Sequence, residues 1–275
     1  MVNQNFKIRK REEQFTSRTV TRIWQEEPLP ENSYLAEKCR CHGYDILELT
    51  KKRSFVDVLF LLFQGELPGR NQAESLEKLM IALINPGPRH PATRAAMNAA
   101  VGKSNPAHIL PAGLAVLSGT HLGGEEVSAA MHFLRKNYKK NASDLADEFL
   151  SLSRPNESDW HVAPGFGSRF GGIDPIPQQL ADLLGVLPAA GNAIKWGKDF
   201  VAAITPQEMG WLDTGLAAAV FCDLGFHHRA GAGLFQLLRA PGILAHGLEL
   251  ANKPQTAMPF LDEEHYVIAE QARKK

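Results

Sequence analysis

The chain has 275 residues, of which 44% are hydrophobic and 22% are charged, so it can bury a sizeable core in one large domain or in a large and a smaller one. Because 30 basic residues balance 30 acidic ones, no overall field favours nucleic acid or an anionic membrane. The N-terminal sequence has no apolar signal core, and no run reaches the roughly 18 apolar residues that span a bilayer, so the sequence predicts a cytoplasmic protein.

The cysteines exclude a disulfide framework, because there are only three in a chain of this length, and this agrees with a reducing compartment. Cys39, Cys41 and His42 form a Cys-x-Cys-His cluster that raises the question of a metal site. The usual zinc spacings are absent and no fourth ligand is evident, so we expect no metal here.

Apolar residues recur mostly at helical spacing, with almost no alternation of period two, and this predicts a mainly α-helical fold. Ser54 and Asp57 predict the start of a helix over FVDVLFLLFQ that stops near Gly65. A second amphipathic helix, AESLEKLMIALI, ends at the segment NPGPRHP. Two small-residue helices follow, ATRAAMNAAVG and HILPAGLAVLSG, and their small side chains allow close approach to neighbouring helices.

The second half begins with a helix predicted from Glu125 and a short helix ending at ADEFLSLSRP. The segment RPNESDWHVAPGFGSRFGGIDPIP is rich in Gly and Pro and predicts an irregular loop of about 20 residues, a length more often functional than not. Further helices are predicted over QQLADLLGVL, NAIKWGKDFVAAI and WLDTGLAAAVFCDLGF. The last helix, GLFQLLRAPGILAHGLELANK, is expected to bend or break at Pro241, and the tail KPQTAMPFLDEEHYVI to be an extended arm.

Three motifs, which follow one another in the right order along most of the chain, resemble citrate synthases. CHGYDILELTKKRSFVDVLFLLFQGELPG resembles the N-terminal signature of the family, PGFGSRFGGIDP its Pro-Gly-Tyr-Gly-His loop, and LFQLLRAPGILAHGLE its late helix. The stretch NPGPRHPATRAAMNAAVGKS also resembles the citryl-CoA lyase module of ATP-citrate lyase, whose length is close to that of the present chain. The chain is therefore identified as a member of the citrate synthase superfamily, on the citryl-CoA lyase side.

This resemblance implies an all-α, citrate synthase-like fold formed by one unit over 1–275, with a large helical domain and a small one at roughly 160–240. It also implies a homodimer or a higher oligomer, with an active site to which the partner subunit contributes. Coenzyme A thioesters and carboxylates would be the small-molecule partners, with no tightly bound cofactor, no metal, no nucleic acid and no membrane.

The chemistry of the family adds or removes an acetyl-CoA enolate at a keto group, and it needs a base and two hydrogen-bond donors. All three matching positions are changed: the histidine before the glycine pair falls at Leu122, the loop histidine at Ser168 and the base at Trp211. The candidate catalytic residues are therefore His121, Ser168 and Asp213. His121 is alternatively a structural residue at the start of a helix, and Asp213 is either a relocated base or a packed carboxylate.

The binding residues of the family are better kept. Arg239 matches a residue that holds a carboxylate, although an internal salt bridge is the alternative, and Lys253 stands where the family has an arginine that reaches across the dimer. Arg89 and His90 are either a solvated corner or a site for a carboxylate or phosphate. The resemblance further implies that the adenine of coenzyme A is cradled by the backbone of a loop containing Pro164, Gly165, Phe166, Gly167 and Arg169.

Two functional hypotheses follow. The first is a citryl-CoA lyase-like enzyme, a lyase or acyltransferase that makes or cleaves a carbon–carbon bond next to the CoA thioester of a carboxylated acyl group. The second is a non-catalytic homologue that binds a CoA ligand and acts as a sensor or partner subunit. The replaced catalytic positions motivate the second hypothesis.

Overall fold

The computed structural model describes residues 20–152, 160–259 and 261–268. The chain divides into two compact units, Met1–Leu67 and Pro68–Lys275. Apart from two short sheets, the described residues are mainly helical, as the sequence predicts. None of their helices is both long enough and apolar enough to cross a membrane.

The first unit begins with an antiparallel sheet of three strands in the order β1-β2-β3 that the sequence analysis did not predict. The strands are β1 (Trp24–Leu29), β2 (Asn32–Cys41) and β3 (Tyr44–Asp45). Most residues of β1 and β2 are exposed on both faces of the sheet. Because neither face is covered, neither needs the apolar row that produces a period of two in a sequence.

Two helices complete the first unit, α1 (Ile46–Lys52) and α2 (Phe55–Gln64). The start of α2 is confirmed, since Ser54 and Asp57 form a reciprocal capping box. The helix stops at Gly65, whose φ of 80° belongs to the left-handed region that favours glycine.

The Cys39–His42 segment lies in the turn and strand end of this unit. Both of its cysteines are free thiols, and Cys41 is buried in a small apolar cluster with Leu49 and Leu61. In the part of the chain that the structure describes, no group of three or more His, Cys, Asp or Glu side chains is arranged to hold a metal ion.

The second unit packs its helices around one long helix over His228–Leu250, which contacts the helices at Pro91–Val101, Pro106–Leu117 and Gly124–Asn137. The helices are α3 (Arg70–Leu83), α4 (Pro91–Val101), α5 (Pro106–Leu117), α6 (Gly124–Asn137), α7 (Ala142–Leu150), α8 (Pro175–Gly185), α9 (Asn192–Ile204), α10 (Asp213–Asp223) and α11 (His228–Leu250). Two short antiparallel strands, β4 (Phe166–Gly167) and β5 (Gly210–Trp211), join the glycine-rich loop to the start of α10.

The helix α11 continues through Pro241, so of the two expected outcomes, a bend or a break, the break does not occur. Next to the proline, the N–H of Gly242 donates to the carbonyl of Ile84 at 3.0 Å, beyond the end of α3. A Cβ at Gly242 would lie 2.5 Å from the Cα of Asn85, so only glycine permits this contact. The contact anchors the segment that leads from α3 into α4.

An aromatic core underlies the glycine-rich loop. Phe166 and Trp211 are completely buried, and their ring centroids lie 4.8 Å apart across the β4–β5 pair. Phe133 and Phe200 surround Phe166 with centroids at 6.1 and 5.1 Å. Edge and tilted packing of this kind fixes the loop on the helices beneath it.

Candidate active site

A cavity of about 420 Å³ opens between the segment that precedes α4 and the end of the glycine-rich loop. Two arginines and one carboxylate line it, with an exposed phenylalanine. The lining residues are Pro86, Gly87, Pro88, Arg89, Arg169, Phe170, Asp174 and Pro175. The excess of positive charge makes this cavity suitable for an anionic ligand.

Arg169 is partly buried and contacts two neighbouring side chains. Its Nη1 lies 3.7 Å from Oδ2 of Asp174, and its guanidinium carbon lies 5.6 Å from the centre of the Phe170 ring. Arg89 is exposed and lines the same cavity. The predicted candidates Arg89 and Arg169 are thus brought together.

His90 adjoins this cavity but is used inside the protein. It is the N-cap of α4, where Nδ1 accepts the N–H of Ala92 at 3.1 Å, and its Nε2 lies 3.4 Å from the carbonyl oxygen of Leu122. Burial, helped by the positive charge of Arg239, lowers the pKa of His90 from 6.5 to about 4. His90 is therefore neutral near neutral pH, and it links α4 to the loop before α6.

Asp213 and Arg239 form an ion pair, which joins the first residue of α10 to the middle of α11. Arg239 is only 3% exposed, and its guanidinium lies 5.1 Å from the ring centre of Phe235. Its buried Nε–H has no hydrogen-bond partner among the described residues. The structure thus contains the internal salt bridge that was one alternative for Arg239. Within the described residues, the Nε–H of the guanidinium remains without a hydrogen-bond acceptor.

Ser168, which belongs to the glycine-rich loop, is completely buried. Its N–H donates to the carbonyl of Trp160 at 2.9 Å, and its Oγ accepts the N–H of Trp160 at 3.3 Å. These two hydrogen bonds join Ser168 to the start of the loop at Trp160.

The backbone of the same loop is engaged internally as well. Gly165 has a φ of 82°, and its carbonyl oxygen would lie 2.0 Å from a Cβ at Gly215, so the two glycines allow the loop and α10 to touch. Four N–H groups of the predicted adenine cradle donate within the protein: Gly165 to Glu126, Phe166 to Ala163, Ser168 to Trp160 and Arg169 to Gly172. The side chain of Phe166 belongs to the core, which leaves Arg169 as the member of this set that lines the cavity.

Glu126, which the sequence analysis did not single out, connects the loop before α6 to the glycine-rich loop. It is 4% exposed, and its carboxylate accepts the N–H of Leu122 at 2.8 Å and the N–H of Gly165 at 3.2 Å. The same carboxylate lies 2.5 Å from Nδ1 of His161. A buried carboxylate with three hydrogen bonds is well satisfied.

His161 and His121 stack on one another, with ring centroids 4.3 Å apart and an angle of 18° between the planes. His121 is exposed, whereas the side chain of His161 is 15% exposed. The predicted imidazole therefore lies beside a second imidazole that is 40 positions further along the chain. Sequence spacing cannot reveal such a pair, although Glu126 and His161 each lie next to a glycine-rich motif.

Lys253 lies elsewhere in the chain, beyond the end of α11. The last residue of that helix, Leu250, is about 16 Å further along the axis than Arg239. The Lys253 side chain is exposed, and its carbonyl oxygen accepts a hydrogen bond from Nζ of Lys103 at 2.6 Å. Within one chain, Lys253 is not part of the arginine-lined cavity.

Comparison with known proteins agrees with this architecture. Residues 29–150 match the family described as citrate synthase, C-terminal domain. No curated protein sequence matches the chain. Among solved structures, citryl-CoA lyase from Hydrogenobacter thermophilus is similar with 26% identity and a TM-score of 0.74, covering 94% of this chain and 96% of that one.

Two further structures share the fold at lower identity. ATP citrate lyase from Methanothrix soehngenii, in complex with citrate and coenzyme A, has a TM-score of 0.68 and 16% identity. The match covers 94% of this chain but only 44% of that one. Citrate synthase from Thermoplasma acidophilum, with carboxymethyl coenzyme A and oxaloacetate, has a TM-score of 0.58 and 18% identity, covering 81% of this chain and 59% of that one.

The architecture, the matched segment and the solved structures together define the class of fold: the chain has a citrate synthase-like fold, which agrees with the resemblance seen in the sequence motifs. Within that class, its structure is similar to citryl-CoA lyase over nearly the whole length of both chains.

Proposed function

We propose that the protein is a citryl-CoA lyase-like enzyme that makes or cleaves a carbon–carbon bond next to the CoA thioester of a carboxylated acyl group. The observation that carries this proposal is the arginine-lined cavity in a chain similar to citryl-CoA lyase. The charges of Arg169, in this cavity, and of the buried Arg239 both act on His90. A carboxylated acyl-CoA presents carboxylate and phosphate groups, and both are bound well by the planar fork of arginine.

The three arginines differ in burial, so we assign them to different anionic groups of the ligand. Arg89 and Arg169 line the open cavity, so they are placed to meet the more exposed anionic groups of the ligand. Arg239 is buried and keeps one free Nε–H, so it would bind a carboxylate that is inserted more deeply. We propose that the coenzyme is held by the side chain of Arg169 rather than by the loop backbone, because the N–H groups from Gly165 to Arg169 already have internal partners or strand pairing.

The cleavage reaction needs only one proton to move. A base takes the proton from the hydroxyl group on the carbon β to the thioester, and the oxygen electrons form a ketone. The carbon–carbon bond breaks, and its electron pair passes to the thioester enolate, which takes up the proton at carbon. Donors that face the two developing oxygen charges would lower the barrier.

The alternative function is that of a non-catalytic sensor or partner subunit that binds a CoA ligand. A specific observation supports it: two of the three predicted catalytic groups have structural contacts. Asp213 is paired with Arg239, and the Ser168 hydroxyl accepts a backbone N–H. Because the Asp213 carboxylate is occupied by Arg239 and the Ser168 hydroxyl by the backbone, these two residues alone do not supply the reaction.

The direct test is to incubate the protein with citryl-CoA, and separately with acetyl-CoA and oxaloacetate, and to measure the acyl-CoA products by mass spectrometry. Thermal-shift titration with coenzyme A, acetyl-CoA and citrate reports binding alone, since saturation to about 100 times Kd adds about 2.7 kcal/mol of stability. Turnover supports the enzyme, and stabilisation without turnover supports the sensor. If the protein shows no turnover and no stabilisation by any of these ligands, both the enzyme and the sensor hypotheses are refuted.

Matched variants locate the site. We expect Arg169→Ala and Arg89→Ala each to weaken binding of the CoA ligand by about tenfold or more, because each removes a charge-assisted contact. The control is Arg70→Ala, which removes an exposed arginine at the start of α3, outside the cavity. Equal affinity in all three variants would move the ligand away from this cavity.

We further propose a cytoplasmic homodimer in which the exposed Lys253 contributes to the site of the partner subunit. Its position beyond the end of α11 motivates this, because it cannot reach Arg239 in its own chain. Light scattering gives the oligomeric state. Mixing Lys253→Ala with Arg239→Ala protein should restore part of the activity that each variant lacks, if the two residues act across the dimer.

A further inference from the structure

We propose that His161 is the residue that moves the proton in this reaction, and that Glu126 orients it. The inference rests on the proposed lyase-like function and adds to it the identity of the base. It is carried by a buried carboxylate that holds one nitrogen of an imidazole, while the other nitrogen has no hydrogen bond among the described residues.

The orientation of the imidazole follows from Glu126. Because the carboxylate is buried and already accepts two backbone N–H groups, it favours the tautomer of His161 that carries its proton on Nδ1. That tautomer leaves a lone pair on Nε2, which is the atom that can accept a proton. When Nε2 is protonated, the nearby carboxylate stabilises the resulting positive charge.

The location of the pair supports the assignment. Glu126 binds the N–H of Leu122 and the N–H of Gly165, so it joins the two segments in which the resemblance placed the missing histidines. His161 is held at this junction, and 15% exposure of its side chain gives a ligand access to the ring. His121 covers one face of the ring by stacking.

The other candidates for the base are less suitable. Both nitrogens of His90 are engaged within the protein, and burial keeps the ring neutral. Asp213 is paired with Arg239, and Ser168 is buried with its hydroxyl on the loop backbone. His121 is stacked on the outside of His161 and is exposed, so its role is to support the ring of His161 rather than to act alone.

In the cleavage direction, Nε2 of His161 takes the proton of the substrate hydroxyl. The oxygen electrons form the ketone, the carbon–carbon bond breaks, and the electron pair forms the thioester enolate. The imidazolium then returns the proton to the enolate carbon, so His161 ends the cycle neutral and no other reactant is consumed. Glu126 acts through His161 and is a positioning residue.

The test combines kinetics with an NMR signature. His161→Asn keeps a side-chain N–H at the position of Nδ1 for Glu126 but removes Nε2, so the loop should fold while kcat falls by about 100-fold or more, with little change in KM. The matched control is His108→Asn, which removes an exposed histidine of α5 and should leave kcat unchanged.

Glu126 is tested by Glu126→Gln, with Glu125→Gln as its control, since Glu125 is exposed in the same first turn of α6. In the ligand-free protein we expect a low-field proton on Nδ1 of His161, seen in spectra of 15N-histidine-labelled protein. The signal should shift or vanish in Glu126→Gln, remain in Glu125→Gln, and return in part in Glu126→Asp. Glu126→Gln should also displace the pH profile of kcat, which a purely structural role would not do.

The outcomes separate this assignment from the proposed function. Wild-type turnover with a large loss in His161→Asn supports both. Wild-type turnover that is equal in His161→Asn overturns the role of His161 and leaves the lyase-like function intact. If the wild type binds coenzyme A but turns over neither citryl-CoA nor the acetyl-CoA and oxaloacetate pair, the enzyme proposal fails, and this assignment fails with it.

Discussion

His90 is expected to make the protein lose stability when the solution is acidified. Its Nδ1 lone pair accepts the N–H of Ala92, and a proton on this atom would remove that N-cap bond and place a charge in a buried position near Arg239. The perturbation that tests this is His90→Asn. Asparagine is a good N-cap residue and does not titrate, so the variant keeps the cap without the ionisation.

The magnitude follows from the pKa of His90, which burial lowers from 6.5 to about 4. Between these values the unfolded chain binds more protons than the folded one, so stability decreases as the pH falls. The resulting penalty is about 2 kcal/mol at pH 5, against about 0.2 kcal/mol at pH 7. The penalty is fully developed only below the folded pKa, and above pH 6.5 it is nearly absent.

Urea unfolding at pH 7 and pH 5, at one protein concentration, measures this effect. Wild type should lose about 2 kcal/mol more than His90→Asn over this interval, because all other titrating groups are shared. The matched control is His227→Asn, which makes the same replacement at the exposed N-cap of α11. An equal loss of stability in wild type and His90→Asn would show that protonation of His90 is not the cause of the acid sensitivity.

Three further predictions concern other parts of the second unit. Phe166→Ala should lower the free energy of unfolding by about 3–5 kcal/mol in urea titrations, because this completely buried ring supports the glycine-rich loop. Asp223→Ala should cost about 2 kcal/mol in the same assay, since its carboxylate accepts three backbone N–H groups at the start of α9, whereas Asp182→Ala, at an exposed ion pair, should cost less than about 1 kcal/mol. Burial raises the pKa of the Cys222 thiol to about 11, so iodoacetamide at pH 8, followed by mass spectrometry, should modify it about 100-fold more slowly than a cysteine with the ordinary value of 9.0.

The helical part of the fold was predictable because buried helices carry their signal in the sequence. The capping box at Ser54 and Asp57 marks the start of α2. The strands β1 and β2 were not predictable, since both of their faces are exposed and no alternating pattern is needed. The sequence left open whether α11 bends or breaks at Pro241, because the contact made by Gly242 is to a residue more than 150 positions away.

Some residues of the candidate site could likewise be predicted from the sequence, and others could not. Arg89 and Arg169 could be proposed from local motifs, and the structure brings them to one cavity. The ion pair of Asp213 with Arg239 joins two helices and was only one of the alternatives that the sequence left open. Glu126 and His161 were not predicted, because their proposed role depends on a contact between residues that are 35 positions apart. The spacing of residues within either segment gives no sign of that contact.

Leu122 shows how this turn is held without the histidine that the resemblance leads one to expect. It occupies the position that the resemblance assigns to a histidine, yet it is 8% exposed and has a φ of 55°, which is unusual for a residue other than glycine. Its N–H donates to Glu126 and its carbonyl lies against Nε2 of His90, so both of its backbone groups are used to hold the turn. The turn is therefore kept by backbone contacts that do not require a histidine side chain. Because Glu126 is anchored by this same turn, its carboxylate can hold the imidazole of His161, which comes from the other loop and lies at the same junction.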